Sequence, residues 1–85
     1  MTRLGARPPL DGLVRAARKD GREVVVLRCA AENGGWSVEC EVYPLAGLRV
    51  EPLRPGPYHF ADDQQAETFL NEAVLALTYL GCEVS

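Results

Sequence analysis

The chain has 85 residues, 47 % of them apolar and 25 % charged, with a net charge of −3. This is the composition of one globular domain, too well balanced for a disordered chain and too short for two cores. No apolar run approaches the ~20 residues that span a bilayer, so no membrane partner is expected. The first thirty residues hold seven of the nine basic side chains and no long apolar stretch, so they do not read as a secretory signal. The remainder carries two basic side chains against nine acidic ones. A dedicated duplex-DNA binder is basic overall, because phosphate contacts supply most of its affinity. This charge balance weighs against one.

Residues 1–9 (MTRLGARPP) combine two prolines with a glycine and predict a flexible tail, leaving 10–85 as a single domain. Residues 10–19 (LDGLVRAARK) fit two readings. Leu10, Leu13, Val14 and Ala17 make a helical stripe, whereas Asp20-Gly21 is a hairpin turn signal joined directly to the next strand. The strand is preferred, with Val14 facing Leu27 and Ala16 facing Val25. Residues 22–30 and 36–43 flank Asn33-Gly34, a pair that favours a type I′ turn and predicts a hairpin. With that turn at its centre, Cys29 faces Val38, Leu27 faces Cys40 and Val25 faces Val42, all on one side. On the other side Arg28 meets Glu39, Val26 meets Glu41 and Val24 meets Tyr43.

A turn at Pro44-Leu45-Ala46-Gly47, a short strand at 48–51, a stiff Pro-Gly loop at 52–57 and an edge strand at Tyr58-His59-Phe60 follow. The last element is a helix from Asp63 to about Leu80. Asp62 is a good N-cap with Gln65 three residues on, and Gly81 stands where a left-handed residue ends a helix. Its core stripe is Ala66, Phe69, Leu70, Ala73, Val74 and Leu77. Leu75 and Tyr79 lie beside that stripe and read first as a widened core face, second as a helix–helix contact. The fold expected is α+β: an antiparallel β-meander of three to four strands packed on one long C-terminal α-helix.

Cys29, Cys40 and Cys82 are an odd, widely spaced set with no CxxC pair, and His59 is the one histidine. That is neither a disulfide framework nor a zinc site. Buried free thiols in a reducing, cytoplasmic setting are expected, with no metal and no cofactor. The one candidate catalytic corner is His59 with Asp62 and Asp63. A helix N-cap acid with a surface histidine is the preferred reading of these residues, since the helix dipole alone explains acids there. Neither a phosphate-binding glycine loop nor a Gly-x-Ser-x-Gly elbow is present. One sheet and one helix also leave little room for a pocket of ~300 Å³, so no catalytic residue is expected.

The sheet face away from the helix carries Val24, Val26, Arg28, Glu39, Glu41 and Tyr43, with Arg15 and Arg49 as possible additions. Valines in the middle of an open face imply cover. A second copy of the chain or stacked single-stranded bases would supply it.

The strand, strand, strand, strand, helix order resembles the single-strand-binding coactivator fold, shared in outline with Pur-alpha repeats and Whirly proteins. The matching stretch is 54–80: Arg54-Pro55-Gly56, a strand ending at Phe60, then the acid-capped helix. That resemblance implies a homodimer binding single-stranded DNA or RNA through its sheet, with Arg15, Arg28, Arg49, Trp36 and Tyr43 as contacts. In the register above Trp36 lies on the core side. Gly35-Trp36, Pro44-Leu45-Ala46-Gly47 and the helix alanines Ala66 and Ala73 also resemble HicB-type antitoxin domains. That likeness implies a protein-interaction module with no nucleic-acid binding of its own.

Overall fold

The computed structural model describes residues 10–43 and 51–85. Its elements are β1 (Val14–Lys19), β2 (Arg22–Glu32), β3 (Gly35–Val42), β4 (Tyr58–Phe60), the helix α1 (Asp63–Tyr79) and β5 (Glu83–Val84). The strands form one antiparallel sheet in the order β4-β3-β2-β1-β5. The meander followed by one helix is the α+β architecture expected. The tail at 1–9, the turn at 44–47, the strand beginning at 48 and Arg49 lie outside the described residues.

Residues 10–19 contribute β1, so the strand reading holds. Its register does not. Near the Asp20-Gly21 turn Arg18 pairs with Glu23, but Ala17 pairs with Val25 and Val14 with Arg28. Val24 is therefore an extra residue on β2, a β-bulge without a partner on β1. The bulge shifts β1 by one position and exchanges its faces. Ala17, not Ala16, shares the helix side with Val25, and it is buried. Arg15 moves to the helix side opposite Leu27, whereas Val14 is left exposed beside Arg28.

β2 and β3 pair in the expected register, from Val25↔Val42 to Glu32↔Gly35. The turn type is the correction here. Of Asn33 and Gly34 only Gly34 has positive φ, +81°, which is the type II pattern. The type I′ pattern, positive φ at both central residues, belongs to Asp20 (54°) and Gly21 (77°). Gly35 meets a different constraint, because a Cβ there would overlap the carbonyl oxygen of Phe60. That close approach seats β4 on β3 through Trp36↔Phe60, Ser37↔His59 and Val38↔Tyr58.

α1 starts as expected. Asp62 Oδ1 accepts from the Gln65 backbone N–H at 2.8 Å, while Gln65 Oε1 accepts from the Ala61 N–H at 3.1 Å. The helix ends in a Schellman motif, with Gly81 N–H on the Thr78 carbonyl and Cys82 N–H on the Leu77 carbonyl, both 3.0 Å. Gly81 (φ +95°) turns the chain into β5, which pairs with Ala17 and Arg18 of β1. α1 thus links the two edge strands of the sheet, β4 and β5. At ~1.5 Å per residue its seventeen residues extend about 26 Å, enough to cross four inter-strand gaps of ~4.8 Å.

The core lies between sheet and helix. Leu27, Cys29 and Val38 meet Ala66 and Leu70, with Trp36, Cys40, Phe60, Phe69, Ala73 and Leu77 packed around them. The Phe69 ring stands 5.2 Å from Tyr58 and 5.3 Å from Phe60, closing the β4 end.

Leu70→Ala is expected to cost about 2–5 kcal/mol in denaturant unfolding, as for a buried leucine that leaves a cavity. Gly35→Ala is expected to cost about 1–3 kcal/mol, because β4 must shift to admit a methyl group. A loss below ~0.5 kcal/mol for Gly35→Ala would show that β4 does not cross at that distance.

Candidate functional site

The sheet face away from α1 is organised by one carboxylate. Glu41 sits on β3 opposite Val26, and its side chain is only 14 % exposed. Its Oε1 accepts from Arg28 Nη1 at 2.7 Å and from the Tyr43 hydroxyl at 3.3 Å. Its Oε2 accepts from Arg54 Nε at 3.3 Å. Arg28 stands directly opposite Glu39 but bonds diagonally to Glu41. The Arg28 hydrogen bond, with the charge behind it, holds the Glu41 carboxyl below the usual carboxylate range, and Arg54 adds to this. The same bond pushes the Arg28 guanidinium up.

This cluster ties the Pro-Gly loop to the sheet. Arg54 is carried beside β3 by the Leu53–Val42 bridge, whose two backbone hydrogen bonds are 2.7 and 2.8 Å. Arg28, Glu39, Cys40, Glu41, Arg54 and the 55–57 turn enclose a hollow of about 320 Å³. A second, open hollow of about 540 Å³ lies at the start of α1, lined by Phe60, Asp62, Gln64, Gln65 and Thr68. The expectation that so small a fold leaves little room for a hollow of this size does not hold.

The proposed contact residues do not converge. Val24 and Val26 are only 7 % and 5 % exposed within a single chain. They do not form the open apolar face expected, because the chain covers them itself. Val26 lies between Ala16 and Glu41, and Val24 is held to β3 by the Tyr43 N–H on its carbonyl at 2.8 Å. Trp36 packs on the helix side with Phe60, and the β1 shift places Arg15 there too. Arg15 Nε donates to the Ser85 carbonyl at 3.1 Å. Tyr43 is half-buried and donates to Glu41. Of the expected set, among the described residues, Arg28 and Tyr43 share the Glu41 cluster.

The His59–Asp62–Asp63 corner separates into two structural roles. His59 Nδ1 lies 2.7 Å from Glu32 Oε2, across the sheet end. Asp62 caps the helix and Asp63 stands in its first turn. Burial pushes the Cys29 and Cys40 thiols up, which favours their protonated form. Among the described residues no group of three or more His, Cys, Asp or Glu side chains is placed to hold a metal ion, and no helix is long and apolar enough to cross a membrane.

Exposed apolar side chains lie instead on α1 and its C-cap, and singly at Val14, Leu53 and Tyr58. Leu75 is 69 % exposed, Tyr79 90 % and Leu80 63 %. The reading of Leu75 and Tyr79 as a widened core face is therefore overturned. One helical turn apart, they share a face pointing away from the Leu70 stripe. The predicted stripe placed the helix rotation correctly, but spacing alone did not show how far round the helix the burial extends. Comparison with family models, with curated proteins and with solved structures finds no match to this chain.

Glu41→Gln should destabilise the chain at neutral pH. A carboxyl whose folded pKa is depressed stabilises above its unfolded pKa and loses that contribution as pH falls through the folded value. The stability difference between the wild type and Glu41→Gln should therefore shrink on acidification. A difference that stayed constant into strong acid would show that the Glu41 charge is not what matters.

Proposed function

We propose that this chain is a non-enzymatic protein-interaction module that presents the outer face of α1 to another chain. The observation that carries the reading is the exposure of Leu75 and Tyr79 on one helical face, with Leu80 exposed at the helix C-cap. A contiguous apolar patch on a small domain marks a contact surface more often than a solvated one. Tyrosine is among the residues enriched where binding energy concentrates. The sheet face supports a docking role less well, because Val24 and Val26 are buried and Arg28, Arg54 and Glu41 satisfy one another.

Single-stranded nucleic acid at the sheet is the second reading. Arg28 and Arg54, both exposed and side by side, favour it. A phosphate there would have to compete with Glu41 for both guanidiniums. The only aromatic side chain in that cluster is already engaged with the same carboxylate.

The test is a Leu75→Ser/Tyr79→Ser double variant, studied at high dilution by denaturant unfolding. Side chains that serve only a docking surface should leave the isolated fold unchanged within about 0.5 kcal/mol. A loss above ~1 kcal/mol would assign them to the chain's own fold and end this reading.

A further inference from the structure

We propose that Asn33 is a site of covalent modification, where the chain converts its own side-chain amide to aspartate or isoaspartate with water as the only co-reactant. The reaction remodels the turn that closes the β2–β3 ladder.

The chemistry needs an asparagine carboxamide beside the backbone nitrogen of the next residue, and it is one reason asparagine is thermolabile. The Gly34 nitrogen gives up its proton and attacks Cγ of Asn33. A C–N bond forms, the bond from Cγ to the side-chain nitrogen breaks, and ammonia leaves with the proton. The product is a succinimide ring, which water then opens. Addition at Cγ gives aspartate on the ordinary backbone. Addition at the backbone carbonyl leaves the chain connected through Cγ, which is isoaspartate, with one extra carbon in the main chain. Nothing is oxidised or reduced.

The fold leaves this reaction open at Asn33 and closes it elsewhere. Asn33 and Gly34 are both exposed at the turn. Gly34 has no Cβ to shield its nitrogen. Among the described residues nothing accepts from the Gly34 N–H and nothing holds the Asn33 carboxamide. Asn71, the other asparagine, lies inside α1, where the Glu72 N–H is bound into the helical ladder. Asp11-Gly12 shows a similar dipeptide held at both groups. Asp11 Oδ1 accepts from the Ala31 N–H at 2.9 Å, and the Gly12 N–H donates to the Cys29 carbonyl at 2.8 Å.

The extra carbon of isoaspartate has little room. Asn33 and Gly34 alone connect the paired residues Glu32 and Gly35. Gly35 already meets β4 so closely that a Cβ would overlap the Phe60 carbonyl oxygen. The added length therefore falls on Gly35 and on the seat of β4. The new carboxylate also stands next in the chain to Glu32, the partner of His59 across the sheet end.

The experiment incubates the full chain at mildly alkaline pH, folded and in urea, and maps the products by digestion and mass spectrometry. Isoaspartate is counted with an isoaspartyl methyltransferase and labelled S-adenosylmethionine. In the folded chain Asn33 should convert at least tenfold faster than Asn71 and within about tenfold of its own rate in urea, as for a turn that opens at little cost. A folded rate further below the urea rate, or equal conversion of the two asparagines, would overturn the proposal. Asn33→Gln should abolish the methylation, and methylation that persists would place isoaspartate at another residue. Asn33→Asp carries the new charge on an ordinary backbone and should unfold at the wild-type denaturant midpoint. The purified isoaspartate form should unfold at a lower one. Equal midpoints for these two would overturn the remodelling of the turn.

Discussion

Eight consecutive residue pairs join β2 to β3, and a slip of one position would carry Leu27 and Cys29 to the face opposite Val38 and Cys40. The core depends on this register. It places those four side chains on one side, where Ala66 and Leu70 close over them. It places Val26, Arg28 and Glu41 on the other, where the Glu41 ion pairs form. β1 and β4 then add to the two outer edges of the hairpin, and α1 crosses the sheet to deliver β5. Each later element takes its face from this ladder.

The hairpin was legible because two independent signals agree. Apolar and polar residues alternate on both strands, and Asn33-Gly34 fixes where they fold back. The helix was legible for the same kind of reason, with a cap, a stripe and a terminating glycine all consistent. The β1 register was not legible. A bulge adds one residue without disturbing the apolar pattern much, because Val14, Ala16 and Ala17 offer a small apolar side chain in either frame. β5 was invisible as a strand: two residues, Glu83 and Val84, carry no periodicity, and only the Schellman turn at Gly81 directs them to β1.

The candidate surfaces show the same division. Strand alternation placed Val24 and Val26 on the correct face, but alternation does not measure exposure. Burial there depends on neighbours such as Glu41, held over the sheet by Arg28 on the adjacent strand and by Arg54 from a distant loop. The stripe from Ala66 to Leu77 already set the rotation of α1, but the width of its buried arc, which leaves Leu75 and Tyr79 in solvent, was not legible. The result is a chain with two unlike faces. The sheet side pairs Arg28 and Arg54 with Glu41 and covers Val24 and Val26, leaving Val14 exposed at its β1 edge. The helix side leaves leucine and tyrosine in solvent. A sheet that is complete within one chain, under a helix that is not, supports contact through the helix.

The central claim is that the β2–β3 ladder is the framework on which the other elements depend. Native-state hydrogen exchange tests it most directly. The β2–β3 ladder amides of Val26, Arg28, Glu39 and Glu41 should exchange only through global unfolding, whereas amides in β5 and the last turn of α1 should exchange through smaller local openings. If the helix amides stay protected under conditions that release those of Arg28 and Glu39, the hairpin is not the framework, and the order of dependence runs from the helix to the sheet.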